Sequence, residues 1–168
     1  MRLVCPFVEV QPETAEALER YAPDVEYVRM DGDAGYYALM AGLWRGEAFA
    51  VIEHDVVIHD GVVPEFVSCP EPWCSFPYSG GYELFTEGLG CARFSTALLQ
   101  RLPHLVDDIT DRHWSSLDSM IASALHNAGY KVHVHSPPVG HAHRWRPPAA
   151  HMYGCPCPTC VWVAGVIR

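Results

Sequence analysis

The sequence predicts an α/β fold, in which helices flank a mixed, mainly parallel sheet within a single domain. Two observations predict it. Short apolar, β-branched segments alternate with helix-like segments from residue 2 to residue 53, the pattern of strands joined by helical crossovers. The chain has 168 residues, of which 49% are hydrophobic, so it can bury one core of ordinary size.

The first half of the chain supplies the clearest elements. Strands are predicted over residues 2–10, 25–30 and 48–53, each rich in Val, Ile, Phe or Tyr. Helices are predicted between them over residues 12–22 and 34–45, and Asp33 is expected to N-cap the second. The second helix places Tyr37, Met40, Ala41 and Trp44 on one face, which we expect to be buried.

The second half is less regular. Residues 68–90 are rich in Pro, Gly and aromatics and predict short strands and loops, and residues 93–102 predict a short helix. Residues 114–127 predict a longer helix, and the alternation over residues 130–136 predicts a strand. We expect residues 1–150 to form the domain and residues 151–168 a Cys-rich tail packed on it.

Composition excludes some function classes. The formal net charge of −9 argues against a general binder of nucleic-acid backbones, which usually presents a basic face. No apolar run approaches the roughly 20 residues that span a bilayer, and the start lacks the features of a signal peptide. A cytoplasmic location is therefore expected. The seven cysteines, an odd number, argue against a simple disulfide framework.

The segment "FAVIEHDVVIHDG" interrupts an apolar strand with two carboxylates. Glu53 and Asp55 follow the third strand, and ligands of parallel sheets gather beyond the carboxyl ends of the strands. If the strand continued, the two acids would point to the same face. A divalent cation would compensate their charge, since Mg²⁺ and Mn²⁺ take carboxylate oxygens, phosphates and water. The alternative is a strand end that simply reaches solvent.

This motif resembles the Asp-x-Asp signature of GT-A glycosyltransferases, with Glu53 in the first place and Asp55 in the second. The blocks "LWRGEAFAVIEHDVVIHDG", "PWCSFPY", "GLGCARFS" and "HSPPVGHAH" look like small glycosyltransferase-like proteins encoded by bacteriophages. The likeness extends over residues 25–143. It implies a GT-A-like, Rossmann-like catalytic domain over residues 1–150, a nucleotide-sugar donor (a UDP-sugar is favoured), and Mn²⁺ or Mg²⁺.

The resemblance also implies roles for individual residues. Asp55 would bind the metal, and Glu53 would contact the donor ribose or support the metal site. A later His often completes such a site, and His141 is preferred over His143. An imidazole ligand would favour Mn²⁺. The donor side would further include Asp31, Asp33, His54 and Arg144. The alternatives are surface histidines, a solvated arginine, and a turn with a helix cap.

The acceptor side is predicted around two other segments. Gly88, Leu89 and Gly90 would let the backbone approach a ligand, or form an ordinary turn. Trp114 is an aromatic of the kind that stacks on rings, although most aromatics are core. Asp118 is the predicted general base for an acceptor hydroxyl. Given the resemblance, a plausible acceptor is a hydroxymethylated base of phage DNA. The acidity of the chain argues against a DNA acceptor.

The tail contains a possible structural zinc site. His151, Cys155, Cys157 and Cys160 supply one imidazole and three thiolates, a sufficient tetrahedral set. The alternative is a reduced, metal-free tail.

Two other functions compete with glycosyl transfer. One is a non-catalytic module that binds a nucleotide or sugar with the same fold. The other is a zinc-dependent hydrolase with ligands among four histidines, without the helical HExxH motif that such enzymes often carry. These histidines are His133, His135, His141 and His143.

Overall fold

The computed structural model describes residues 1–79 and 84–142. Its strands, in chain order, are β1 (Arg2–Phe7), β2 (Glu26–Arg29), β3 (Phe49–Ile52), β4 (Val56–Val57), β5 (Trp73–Ser75), β6 (Tyr78–Ser79), β7 (Leu84–Phe85), β8 (Cys91–Phe94), β9 (His133–Val134) and β10 (Gly140–His141). Its helices are α1 (Pro12–Tyr21), α2 (Gly32–Trp44), α3 (Val62–Ser68), α4 (Thr96–Arg101) and α5 (Trp114–Asn127).

A six-stranded sheet organises these elements in the order β2-β1-β3-β8-β5-β9. β1 pairs in parallel with both β2 and β3, and β9 pairs in parallel with β5. β8 runs antiparallel to both of its neighbours, β3 and β5. The predicted mixed, mainly parallel sheet flanked by helices is therefore confirmed. β4 pairs with β10, and β6 pairs with β7, in two small ribbons.

Alternation along the central strands divides the core into two clusters, one on each face of the sheet. Phe49 and Val51 of β3 contribute to the cluster that contains the buried residues of α2, α4 and α5. Ala50 and Ile52 contribute to the cluster that contains those of α1 and α3. Because all four residues of β3 are fully buried, this strand carries apolar side chains on both faces, as parallel strands covered by helices do.

The helix faces follow their sequence pattern. All four residues of α2 that were predicted to face the core are buried, and Trp44 donates from Nε1 to the carbonyl of Leu102. Leu117, Ile121 and Leu125 of α5 are also buried. No helix of the described residues is long and apolar enough to cross a membrane.

Three predictions about local structure were wrong, and one helix was missed. Residues 93–102 do not form one helix, because β8 ends at Phe94 and Ser95 then caps α4 by accepting from the N–H of Leu98. Asp33 lies inside the first turn of α2, whose N-cap is Asp31. The strand predicted over residues 130–136 pairs only at His133–Val134. α3 was not predicted from the sequence.

Candidate functional site

Acidic side chains converge at one end of the central sheet. Glu53 follows the carboxyl end of β3, and its N–H donates to the carbonyl of Gly90, just before the antiparallel β8 begins, at 2.8 Å. The Glu53 carbonyl accepts from Val56 N–H at 3.0 Å, so the chain turns immediately after β3. Glu53 and Asp55 therefore do not lie on a continuing strand. The condition under which they were expected to share one strand face is not met. The turn, rather than the strand alternation, positions the two carboxylates.

A second segment brings a histidine to the same end. β10 pairs antiparallel with β4, which places His141 opposite Val56. The N–H of Ala142 donates to the carbonyl of Asp55 at 2.7 Å. As a result, Nε2 of His141 lies 3.2 Å from Oδ2 of Asp55, and both side chains are largely buried. The structure thus brings together two of the residues predicted from the sequence as metal ligands.

The predicted general base lies beside the predicted acceptor loop. Asp118 occupies the second turn of α5, and its Oδ2 accepts from the N–H of Leu89 at 3.2 Å. A Cβ added at Gly88 would come within 3.3 Å of the same carboxylate oxygen. Asp118 and residues 88–90 therefore form one surface next to the other acids.

Two tyrosines complete the cluster. Tyr36 of α2 is buried, and its hydroxyl donates to Oε1 of Glu53 at 2.5 Å. Tyr78 is buried against Gly88 and Gly90, and its ring centroid lies 5.3 Å from that of His141. Burial raises the pKa of both hydroxyl groups, and the nearby carboxylates raise it further. Both hydroxyl groups therefore stay neutral, and that of Tyr36 donates to Glu53.

The carboxylates perturb one another's protonation. Burial raises the pKa of Asp118 to about 6, although the hydrogen bond from Leu89 opposes this shift. Burial and the charge of Asp118 raise the pKa of Glu53 to about 8, while the Tyr36 hydroxyl partly offsets the rise. The order of titration explains the difference, since Asp118 ionises first and its charge then opposes ionisation of Glu53. Asp118 is therefore the more readily ionised of the two carboxyl groups, and Glu53 keeps its proton to higher pH.

The donor set fits a divalent cation bound by few protein ligands. Asp55, His141 and Glu53 do not bring three ligand atoms within 4.8 Å of one another. The closer fit is therefore the pair Asp55 and His141, with Glu53 nearby. Mg²⁺ and Mn²⁺ commonly use one or two carboxylates and leave their other positions to phosphates and water. A cation there would also offset the crowded negative charge that raises the pKa of Glu53.

The predicted donor-side residues that the structure describes lie near the start of α2 and beside Glu53. Asp31 is exposed at the N-terminus of α2, the helix that carries Tyr36, and His54 is partly buried beside Glu53. Asp33 lies 3.6 Å from Nε2 of His113, so it is engaged in an ion pair when this histidine is protonated. Trp114 begins α5. Several predicted residues lie outside the described part of the chain, namely His143, Arg144, His151, Cys155, Cys157 and Cys160.

Sequence reasoning missed the role of Tyr36. The helical pattern of α2 pointed to its neighbour Tyr37 as a core residue, and both are buried. Tyr37 donates its hydroxyl to the carbonyl of Val106, whereas Tyr36 reaches Glu53. The available signal was the position of Tyr36 near the start of a helix that follows β2, at the end of the sheet where the acids lie.

Three of the four histidines expected for a hydrolase lie in the described part of the chain, and these three are not brought together at one site. His141 lies beside Asp55, whereas His133 and His135 lie on the edge strand β9 and immediately after it. Two strands, β8 and β5, separate β9 from β3 in the sheet. His143 lies beyond the described residues.

Comparisons with known proteins agree with the architecture. No protein-family model matches the chain, and no curated protein matches its sequence. A solved glycosyltransferase involved in the glycosylation of the major capsid of PBCV-1 is similar with a TM-score of 0.51 and 11% sequence identity, over 81% of this chain and 82% of that chain.

Two further solved structures are more distant. A197 from STIV has a TM-score of 0.38 and 17% identity over 60% of this chain and 68% of its own. The bifunctional IspDF from Campylobacter jejuni has a TM-score of 0.46 and 11% identity over 82% of this chain and 49% of its own. We draw no conclusion from these two. The likeness to the PBCV-1 enzyme concerns the fold, and the chain has a glycosyltransferase-like α/β fold.

Proposed function

We propose that the chain is a glycosyltransferase that moves a sugar from a nucleotide-sugar donor, with a UDP-sugar favoured, to an acceptor hydroxyl. The observation that carries the proposal is the meeting of Glu53, Asp55 and Asp118 at the carboxyl end of β3. This is the end of a parallel sheet where ligands bind in open α/β folds. The glycosyltransferase-like fold supports the same conclusion.

The donor side of the proposal uses the turn after β3. Asp55 and His141 would hold Mn²⁺ or Mg²⁺, and the imidazole favours Mn²⁺. When bound, the ion would act as a Lewis acid that stabilises the diphosphate leaving group. Glu53, fixed by the Tyr36 hydroxyl, would accept from the donor ribose once the cation lowers its pKa. Asp31, Asp33, His54 and Arg144 remain proposed donor contacts.

The acceptor side uses Asp118 and residues 88–90. The Leu89 N–H orients the Asp118 carboxylate and favours its ionised form, against the burial that raises its pKa to about 6. In an inverting reaction the acceptor oxygen bonds to the anomeric carbon, the bond from that carbon to the diphosphate breaks, and the acceptor proton passes to Asp118. Gly88 and Gly90 leave room for this approach because they carry no side chain. Trp114 is a proposed stacking residue.

The identity of the acceptor is a narrower proposal, with two candidates. One candidate is a hydroxymethylated base of phage DNA, with the chain encoded by a bacteriophage and acting in the host cytoplasm. The other candidate is a hydroxyl group on a protein, since the similar PBCV-1 enzyme is involved in glycosylation of a capsid. The net charge of −9 favours the protein acceptor.

A donor screen tests the proposal directly. The purified chain is incubated with Mn²⁺ and each of a panel of nucleotide sugars, and both the shift in melting temperature and the release of nucleoside diphosphate are measured. We expect at least one donor to raise the melting temperature and to release diphosphate faster when a hydroxymethylated duplex or a protein acceptor is added. Binding without release on any acceptor would instead indicate a non-catalytic sugar-nucleotide module. No shift with any donor would contradict both.

A further inference from the structure

A second group of potential metal-ligand atoms lies at the β9 edge of the sheet, the edge opposite β2. Cys69, His133 and His135 each place one such atom so that all three lie within 4.8 Å of one another. Within residues 1–79 and 84–142 this is the only group of three or more His, Cys, Asp or Glu side chains that comes so close. It is separate from the acidic site, because β8 and β5 lie between β3 and β9.

The fold builds this group from two elements. Cys69 caps the C-terminus of α3, where its N–H donates to the carbonyl of Glu65 at 2.9 Å. β9 pairs in parallel with β5, and the pairing continues past its end because His135 N–H donates to Ser75 at 2.8 Å. His133 and His135 are two positions apart on an extended chain, so they share a face. Their ring centroids are 4.8 Å apart.

His135 is held in one orientation. Its Nδ1 lies 2.8 Å from Oε2 of Glu65, and its side chain is only 8% exposed. Its ring stacks on Phe76 with the centroids 4.7 Å apart, and its edge contacts Phe66. Nε2 of His135 is buried and has no hydrogen-bond partner among the described residues. A buried imidazole nitrogen without a partner is unfavourable unless something binds it.

The contact with Glu65 has the form of a supported metal ligand. When Nδ1–H donates to the carboxylate, the lone pair of the ring is on Nε2, which becomes the ligand atom. Metal-binding histidines usually donate their other N–H to a carboxylate or carbonyl in this way, which fixes the tautomer and raises the basicity of the ligand. Glu65 is therefore a positioning residue in this arrangement, rather than a ligand.

We propose that Cys69, His133 and His135 bind Zn²⁺ through one thiolate and two imidazoles. Zinc takes these ligand types at about 2.0–2.3 Å, so tetrahedral neighbours lie about 3.3–3.8 Å apart. Atoms within 4.8 Å of one another reach that spacing with movements of the order of 1 Å. Binding releases the thiol proton of Cys69 to solvent.

The site is open on one side and joins two parts of the fold. His133 is exposed, so the fourth position of the ion faces solvent and accepts water. The ion links the end of α3 to a two-residue edge strand, which also leads toward His141. Cys74 hydrogen-bonds with Cys69, so the two thiols are in contact. Because the ligand is a thiolate, the metal is expected to bind only while these thiols are reduced.

Cobalt substitution tests the proposal with a spectroscopic readout. The full chain carries Cys155→Ser, Cys157→Ser and Cys160→Ser, so that the tail cannot bind metal, and is kept under a phosphine reductant. Titration with Co²⁺ should give a thiolate-to-cobalt absorption in the near ultraviolet and the visible bands of a tetrahedral site, and both signals should saturate at about one thiolate-bound ion per chain. Added Zn²⁺ should abolish both.

Single variants in this background assign the ligands. Cys69→Ser should remove the near-ultraviolet band, His133→Gln should weaken cobalt binding, and Glu65→Gln should weaken it about 10–100-fold while the band remains. His104→Gln, which changes an exposed histidine elsewhere, should bind as the parent does.

Circular dichroism of the metal-free variants shows whether each has folded. His133 is exposed, so its variant keeps the test valid if Cys69→Ser fails to fold. No cobalt bands in the parent, an unchanged near-ultraviolet band in a folded Cys69→Ser variant, or parental affinity in His133→Gln would each overturn the proposal.

Discussion

Nε2 of His141 lies 3.2 Å from Oδ2 of Asp55, although 86 residues separate the two side chains in sequence. The pairing of β10 with β4 produces this contact. β10, the last strand of the described residues, therefore completes the site begun by the turn after β3. Any change that releases β10 should disturb the surroundings of Asp55 without touching the central sheet.

The role of Asp118 as general base predicts a kinetic effect without a loss of binding. Asp118→Asn keeps an oxygen that accepts from the Leu89 N–H, so the loop should stay in place. The turnover number should fall about 10²–10⁴-fold, while donor affinity changes little. Asp24→Asn, which alters an exposed aspartate elsewhere, is the matched control. Near-normal turnover of the Asp118 variant would show that Asp118 is not the general base.

The raised pKa of Glu53 predicts how stability depends on pH. The folded chain holds this proton up to about pH 8, whereas the unfolded chain loses it near its usual value of 4.5. Because the folded state binds more protons in this window, the free energy of unfolding should fall as pH rises from about 4.5 to about 8. Asp118 adds to the fall in the lower part of the window, up to about pH 6.

Urea unfolding at several pH values, compared with Glu53→Gln, measures this effect. The variant keeps an acceptor for the Tyr36 hydroxyl and should show a flatter profile. Glu16→Gln, which alters an exposed carboxylate of α1, should leave the profile unchanged. Added Mn²⁺ should reduce the fall in the parent. A Glu53→Gln profile parallel to that of the parent would show that Glu53 does not titrate in this window.

Close packing of Tyr78 against two glycines predicts a pattern of rescue. A Cβ at Gly88 would overlap the Tyr78 hydroxyl, whereas a Cβ at Gly90 would lie 2.7 Å from Cζ of the ring. Gly88→Ala and Gly90→Ala should each destabilise the fold by about 1–3 kcal/mol. Adding Tyr78→Phe should relieve Gly88→Ala, because it removes the overlapping oxygen, but not Gly90→Ala.

A third glycine is the control for this series. Gly42, within α2, has open space where its Cβ would be, so Gly42→Ala should stabilise the helix by about 0.5–1 kcal/mol. Chemical unfolding of all five variants gives the comparison. Equal rescue of both glycine variants by Tyr78→Phe would mean that the ring does not lie against residues 88–90 as described.

The tail gives a separate prediction about zinc. Protein purified without chelator should contain about one zinc per chain bound by Cys155, Cys157, Cys160 and His151. Elemental analysis of Cys157→Ser should show the loss of this zinc and a lower melting temperature, while zinc at Cys69 is counted separately in Cys69→Ser. If Cys157→Ser keeps both its zinc content and its melting temperature, the tail is not a structural metal site.

The regular part of the fold could be predicted because it depends on local patterns. The alternation of β1, α1, β2, α2 and β3 is visible in the periodicity of the apolar residues, and the buried face of α2 follows from it. α3 was not predicted because it has only seven residues and contains Pro64. The strand β8 was absorbed into a predicted helix, although Ser95 carries an N-cap signal at the true boundary.

The site could be predicted only where chain position was informative. Glu53 and Asp55 were singled out because they follow a buried strand, and the structure does place acids at this end of the sheet. The contact of Asp118 with Leu89 and that of Tyr36 with Glu53 join residues 29 and 17 positions apart, respectively, and depend on how helices pack on the sheet. Such contacts have no signature in local sequence, so the pairing of these residues could not be assigned in advance.

The most direct test of the proposed glycosyltransferase site is the binding of UDP measured by calorimetry. We predict that the parent binds UDP in Mn²⁺ and much more weakly in EDTA, that Asp55→Asn binds much more weakly in Mn²⁺, and that His141→Gln is intermediate. Asp60→Asn, which alters an exposed aspartate five residues later, should bind as the parent does. If the parent in Mn²⁺, the parent in EDTA and Asp55→Asn in Mn²⁺ all bind UDP with equal affinity, the assignment of a cation and a nucleoside diphosphate to this site is contradicted.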